Sequence, residues 1–181
     1  MLHLNENVLQ FKETSLPGVY IVEAKAFEDA RGYFMESYKH ESFEQHIGSV
    51  SWIQDNESKS TKGVLRGLHF QTGEYAQAKL VRVVVGRVWD IAVDVREDSE
   101  TYGRFIATEL SAENRRQLFI PRGFAHGFLV LSDECIFQYK VDNVYSKESE
   151  AGYHYQSFGI EWPEIGVEFS LSEKDLKLPK L

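Results

Sequence analysis

Two short runs carry the residues best suited to chemistry. The first, GVLRGLHFQ at 63–71, sets Arg66, His69 and Gln71 inside a stretch otherwise apolar enough for a sheet core. Such groups are costly to bury unless each finds a partner or a cavity. Strict strand alternation sends Arg66 and His69 to opposite faces. Gly67 stands between them, however, and a glycine inside a strand often marks a bulge that re-aims its neighbours. The second run, IPRGFAHGF at 120–128, reads as a turn at Pro121 and Gly123 followed by a strand bearing His126. Two histidine-bearing strands raise the question of a metal. Each run supplies a single His, where a metal-binding barrel would offer a His-x-His pair and a carboxylate, so the spacing argues against three or four close ligands. On its own, His69 also reads as a core histidine with its hydrogen bonds satisfied.

Other polar residues sit inside strand-like segments. Gln54, Asn56 and Ser58 alternate on one face, Lys79 opens an apolar run, Tyr139 shares a face with Phe137, and Arg31-Gly32 follows Glu28-Asp29. Taken singly, each has an ordinary structural explanation: a solvated face, an exposed strand end, a packed tyrosine, a charged turn. No GxGxxG or GxxxxGK[ST] loop is present for a dinucleotide or a nucleoside triphosphate, and no GxSxG elbow for a serine nucleophile.

The elements that must position these groups are short and β-rich. Strands are expected over 19–26, 33–38, 52–57, 64–71, 79–85, 87–95, 105–109, 117–120, 126–130 and 136–141, with a helix over 41–47 whose apolar stripe is only Phe43 and Ile47. The clearest alternation sets Trp89, Ile91, Val93 and Val95 against Asp90, Ala92, Asp94 and Arg96. Gly86 between two runs signals a tight hairpin. Many short strands at this spacing predict an all-β antiparallel sandwich or barrel. With only four Pro and no linker, low-complexity tract or repeat, the 181 residues are expected to form one domain, 1–181.

Composition limits the partners. Twelve Phe, nine Tyr and three Trp imply a sizeable core, and a formal net charge of -8 argues against a nucleic-acid surface. Cys135 is the lone cysteine, which excludes an intramolecular disulfide, a cysteine zinc site and a CxxC redox pair. No run is long and apolar enough to predict a membrane helix, and MLHLNENVLQFKE lacks the pattern of a secretory signal, so a cytoplasmic protein is expected.

Seven segments taken in order are far more specific than any one alone: DARGYFME at 29–36, QDNES at 54–58, GVLRGLHFQ at 63–71, KLVR at 79–82, IPRGFAHGF at 120–128, Tyr139-Lys140 and LSEKD at 171–175. Together they resemble the dTDP-4-dehydrorhamnose 3,5-epimerase family over nearly the whole chain. The resemblance implies a cupin-type jelly-roll β-barrel or sandwich with a few short helices, a homodimer, no metal or other cofactor, and the nucleotide sugar dTDP-4-keto-6-deoxy-D-glucose as substrate. It also implies roles. His69 is the base that removes protons next to the ketone, Asp175 holds its imidazole, Lys79 stabilises the enolate oxygen and Tyr139 is the acid on the opposite face of the ring. Arg66 resembles a diphosphate contact and Tyr145 the aromatic that stacks on thymine. Arg31, Glu36, Gln54, Asn56, His126, Glu150 and Lys174 match positions lining the nucleotide-sugar cleft. The segment 27–36 is expected to reach the partner subunit's site.

Three departures from the family pattern concern the substrate, one of them a short tail after Asp175. Tyr155-Gln-Ser157 stands where many members carry a Trp-Asn-Asp-Pro stretch, and Ala78 replaces a common glycine before Lys79. The resemblance also admits relatives that invert only C3 or only C5. A non-catalytic sugar-binding cupin is the third possibility, though it would not need base, acid and lysine together.

Overall fold

The computed structural model describes residues 8–181. Residues 1–7, part of the stretch unlike a secretory signal, lie outside the described residues. The described chain begins with β1 (Leu9–Glu13), β2 (Tyr20–Ala24), the hairpin β3 (Ala26–Asp29) and β4 (Gly32–Met35), and helix α1 (His40–Ile47). There follow β5 (Gln54–Thr61), β6 (Leu65–Gln71), β7 (Lys79–Val85), β8 (Arg87–Asp94) and β9 (Phe105–Ser111). The last elements are β10 (Arg116–Ile120), β11 (Phe124–Val130), β12 (Glu134–Val141), β13 (Glu150–Gly152) and α2 (Glu173–Leu176).

Two antiparallel sheets face each other, one ordered β1-β2-β10-β7-β12-β5 and the other β13-β6-β11-β8-β9. This is the expected all-β sandwich, with strand at each of the ten anticipated places. The 19–26 run divides, because the chain leaves β2 after Ala24 to start the separate β3–β4 hairpin. Three apolar layers result. Val81, Val83, Val88, Ala92, Leu118, Phe124, Phe128 and Phe137 fill the space between the sheets. Phe43 of α1 packs with Leu9, Val22, Leu80 and Phe119 on the outside of the six-stranded sheet. The outside of the five-stranded sheet is covered by Tyr153, Phe158, Ile160 and Trp162 packing on Leu68, Ile91, Val93 and Ala125.

That third layer buries the second face of β8. Its apolar face, Ile91 and Val93, packs outward under the 153–162 segment, while Val88 and Ala92 face the inter-sheet core. The strand is buried on both sides, and Asp90 and Asp94 are fully inaccessible. Asp94 is satisfied locally: Ser99 Oγ and Thr101 Oγ1 each donate to it at 2.6 Å, beside the Arg96 guanidinium. Asp90 is left to serve the interior.

The suspected irregularity at Gly67 is present. His69 pairs with His126 and Arg66 with Phe128, with a register shift between them. A Cβ on Gly67 would stand 2.6 Å from Gly127 Cα and 2.7 Å from His126 O, at a φ of +116°. Only glycine on both strands allows the backbones to approach this closely. The shift turns Arg66 to the same side as His69, which regular alternation forbids.

Candidate active site

Between the sheets lies a cavity of about 180 Å³ lined by Ser58, Arg66, His69, Lys79, His126, Gly127, Phe128, Phe137, Tyr139 and Asp175. The two walls bring different groups. β6 and β11 of the five-stranded sheet supply Arg66, His69 and His126; β7 and β12 of the six-stranded sheet supply Lys79 and Tyr139. Thus His69 and Tyr139 meet one cavity from opposite sides.

His69 Nε2 lies 2.7 Å from Asp175 Oδ1. The two residues are 106 positions apart in sequence and are joined because α2 packs beside β6. Ser172 caps α2, its side chain accepting the Asp175 backbone N–H at 3.1 Å. Burial pushes the Asp175 carboxyl up. The hydrogen bond and charge of His69, with hydrogen bonds from Ser172 and Gly67, outweigh that and hold it below the usual carboxylate range. A carboxylate stays ionised at neutral pH in this setting, so an Nε2–H on His69 has a fixed acceptor and Nδ1 keeps its lone pair.

Lys79 begins β7, and its Nζ donates to the His69 carbonyl at 3.4 Å. Desolvation pulls its ammonium down to about 8, against the upward influence of the Asp90 and Glu150 carboxylates. Asp90, which sequence reasoning did not single out, stands behind this group. His126 Nε2 is 3.0 Å and 3.1 Å from its two oxygens. Burial raises the Asp90 pKa, with His126 and Lys79 opposing. The available signal was a carboxylate inside an apolar strand, since such a group needs a buried partner. Across the cavity, burial raises the Tyr139 phenol, with Arg66 opposing, so it remains protonated at neutral pH.

Arg66 donates to Ser60 Oγ from Nε and Nη2, both at 3.2 Å. At the rim of the site, Tyr145 donates to Glu150 Oε2 at 2.7 Å, and Lys174 of α2 pairs with the other Glu150 oxygen. The Tyr145 ring itself is exposed, anchored through its hydroxyl. Glu150 belongs to β13, which pairs with β6 opposite Gln71. Gln71 in turn accepts the Ser146 backbone N–H at 2.9 Å, tying down the Tyr145 loop.

Besides Tyr145, Glu150 and Lys174 at the rim, Gln54, Asn56, Arg31 and Glu36 are absent from this cavity's lining. Asn56 lies opposite Tyr139 in the sheet and accepts from the exposed Gln54 at 2.8 Å. It lines a larger cleft, about 330 Å³, together with Tyr38, Asp55, Arg82, Gln138 and Lys140. That cleft has no histidine among its walls, so volume alone does not mark the chemistry. Arg31 is 90% exposed on the β3–β4 hairpin and pairs only with Asp29 among the described residues. Glu36 follows the same hairpin, and its Oε1 is buried without a hydrogen-bond partner. No helix among the described residues is long and apolar enough to cross a membrane.

Comparison with known proteins gives a consistent picture. The family model described as dTDP-4-dehydrorhamnose 3,5-epimerase matches residues 13–181. A curated dTDP-4-dehydrorhamnose 3,5-epimerase of Shigella flexneri is 55% identical over 167 residues, 91% of each chain. The crystal structure of the enzyme of that name from Elizabethkingia anophelis superposes with a TM-score of 0.90 at 50% identity, covering 96% of both chains. A dTDP-6-deoxy-D-glucose-3,5-epimerase from Legionella pneumophila, in complex with dTDP-4-keto-L-rhamnose, superposes at 0.91 with 43% identity, covering 95% of this chain and 92% of that one.

Proposed function

The chain belongs to the dTDP-4-dehydrorhamnose 3,5-epimerase family of isomerases, and from that premise we propose how it converts dTDP-4-keto-6-deoxy-D-glucose to dTDP-4-keto-L-rhamnose. The observation that carries the proposal is one cavity in which a His–Asp pair on one wall faces a tyrosine on the other, with Lys79 reaching from the tyrosine's wall to the His69 carbonyl. The C4 ketone acidifies the C–H bonds at C3 and C5. His69 Nδ1 takes the proton while Asp175 holds Nε2–H and stabilises the imidazolium. The C–H electron pair moves into an enolate whose oxygen is stabilised by the Lys79 ammonium. Tyr139 then gives its proton to the same carbon from the opposite face, inverting it. Exchange with water returns a proton to Tyr139 and removes one from His69, so each cycle balances. Every step is a proton transfer, and none calls for a redox cofactor.

Binding roles follow the same premise. Arg66 reaches the diphosphate with the N–H groups not engaged by Ser60, its planar fork matching phosphate oxygens. Tyr145 stacks on the base, and Gln54, Asn56, His126, Glu150 and Lys174 border the nucleotide sugar. The described sheets act as one catalytic domain, and the lone, buried Cys135 suits the reducing cytoplasm.

The test is incubation with dTDP-4-keto-6-deoxy-D-glucose in deuterated water, followed by NMR of the ring protons. Exchange at C3 and C5 is expected. Exchange at a single carbon would replace this reading with a one-carbon epimerase, and exchange at neither would remove the catalytic reading. In Tyr139→Phe, exchange should persist while inversion slows by about 10²-fold or more, the usual scale for losing a positioned acid. Loss of all exchange in that variant would contradict an acid acting only after the base.

A homodimer completes the site. The β3–β4 hairpin projects Phe27, Tyr33 and Phe34, the last 67% exposed, together with Arg31. Glu36 follows with its unpartnered buried oxygen. A second copy receiving this hairpin would cover the aromatics and bring Arg31 and Glu36 to its cleft. Mixed dimers of a His69→Ala chain and an Arg31→Ala/Glu36→Gln chain check this. In a two-fold dimer, half the molecules are hybrids with one intact site, giving about a quarter of the wild-type rate. Mixtures no more active than the two parents would exclude the shared site.

A further inference from the structure

Asp175 is carried by a single helical turn, Glu173–Leu176. One turn has too few hydrogen bonds to hold itself, so tertiary contacts must place it. On its leading side, Ser170 makes two backbone hydrogen bonds across to β6 and its preceding turn: Ser170 N–H to Gly63 O at 2.8 Å and Leu65 N–H to Ser170 O at 3.0 Å. The following residues, 178–181, are held by one other stretch of chain. A Cβ on Gly152 would stand 3.1 Å from both methyl carbons of Leu178, so glycine is what lets the leucine seat there. His154 N–H donates to Pro179 O at 2.8 Å, Lys180 Nζ donates to Gln156 Oε1 at 2.8 Å, and Leu181 N–H donates to Ser157 Oγ at 3.2 Å.

The same stretch is also registered on the base. Gly152 of β13 pairs with His69, and Tyr153 exchanges both backbone hydrogen bonds with Leu68 at 3.0 Å. Segment 150–157 thus contacts the strand of His69 at one end and the support of Asp175 at the other. Residues 155–157, the departure from the family pattern, are absent from the cavity lining. Tyr155 instead accepts Trp162 Nε1–H at 2.9 Å, and Ser157 is fully buried.

We propose that segment 154–157 is a latch that sets the His69–Asp175 distance by gripping residues 178–181, with Gln156 and Ser157 as positioning residues that act through Asp175. The proposal rests on the reading of His69 as the base. Loosening the latch lets Asp175 retreat, which frees the imidazole to change tautomer, while Arg66 and Tyr145 keep their hold on the nucleotide.

The test compares Gln156→Ala, Lys180→Ala, Ser157→Ala and the Gln156→Ala/Ser157→Ala pair with the wild-type chain. In the folded pair variant, kcat should fall by about 10- to 100-fold, the scale of a slight misplacement of reacting groups, with KM within about twofold. The ¹⁵N NMR shifts of His69 should change from one tautomer, with the proton on Nε2, to an average of both. Ser157→Thr, which restores a hydroxyl, and Lys180→Arg, which restores a donor, should recover both signals. A merely structural role would lower the melting temperature and the active fraction while leaving the tautomer of folded molecules unchanged. That result, or a wild-type kcat in the folded pair variant, overturns the latch. If Ser157→Ala does not fold, Gln156→Ala alters an exposed side chain and decides the question alone. The tautomer signal is independent of turnover. Isotope exchange persisting in His69→Ala would therefore overturn the base assignment and the kcat effect that rests on it, while the tautomer signal would still report whether the latch sets the His69–Asp175 contact.

Discussion

His69→Ala should abolish deuterium exchange at both C3 and C5 and lower kcat by about 10⁴-fold, the upper end for loss of a general base. The size of the effect follows from how the cavity is built. A ring proton next to a ketone leaves only if a base waits in contact with it, and His69, held by Asp175 through Nε2, is the more open of the two cavity imidazoles, its side chain 31% exposed against 8% for His126. His126 also lines the cavity, but its Nε2 is turned to Asp90 behind the wall. Both carbons flank one ketone, so the proposed mechanism asks a single base on the five-stranded wall to serve each in turn. NMR of substrate in deuterated water distinguishes the outcomes. Exchange lost at one carbon only would assign a second base to the other, with His126 the residue to test next.

The second large effect concerns pH. Lys79 titrates at about 8 because desolvation outweighs the pull of Asp90 and Glu150. The sign follows directly. Below that value the ammonium is charged and stabilises the enolate oxygen; as pH rises through it, the proton and the stabilisation are lost together. The kcat/KM of the wild-type chain should therefore fall on the alkaline side with a midpoint near pH 8. Lys79→Met should lose about 10²–10³-fold at every pH, comparable to removing one oxyanion donor, and the alkaline limb should vanish. Lys79→Arg keeps its charge far above pH 8, so its residual activity should be flat across this range. A pH profile of the three proteins checks the assignment. An alkaline limb that persists in Lys79→Arg would belong to another group.

The groups behind these two effects were legible to different degrees. Lys79 and Tyr139 have ordinary explanations singly and take their expected roles from the family resemblance, whereas Arg66 and His69 stand out because each is a polar residue inside an apolar strand, where burial without purpose is costly. Asp90 carries the same signal yet was missed, because the alternation of β8 suggests a solvated second face, whereas the 153–162 segment covers that strand's outside. Strand β5 runs on to Thr61, past the expected end at 57. Its sequence, QDNESKST, has no apolar residue, and pairing with β12 overrides its weak propensity. Both β13 and α2 are too short to show a period, three and four residues, yet they bring Glu150, Lys174 and Asp175 to the site.

The sequence by itself determined most of the strands, the type of sandwich, and which titratable and cationic side chains the chain has to offer, because side-chain chemistry and strand periodicity are local properties. The roles expected of those groups came from the family resemblance. Only the tertiary structure decided which of those groups share a cavity. It turned Arg66 toward His69 through the Gly67–Gly127 approach, carried Asp175 across 106 positions to the imidazole, set Tyr139 on the opposite wall, and left Arg31 on a hairpin facing outward. The physical reason is that register shifts and the seating of one-turn elements depend on backbone contacts between segments distant in the chain, and no local pattern encodes those distances.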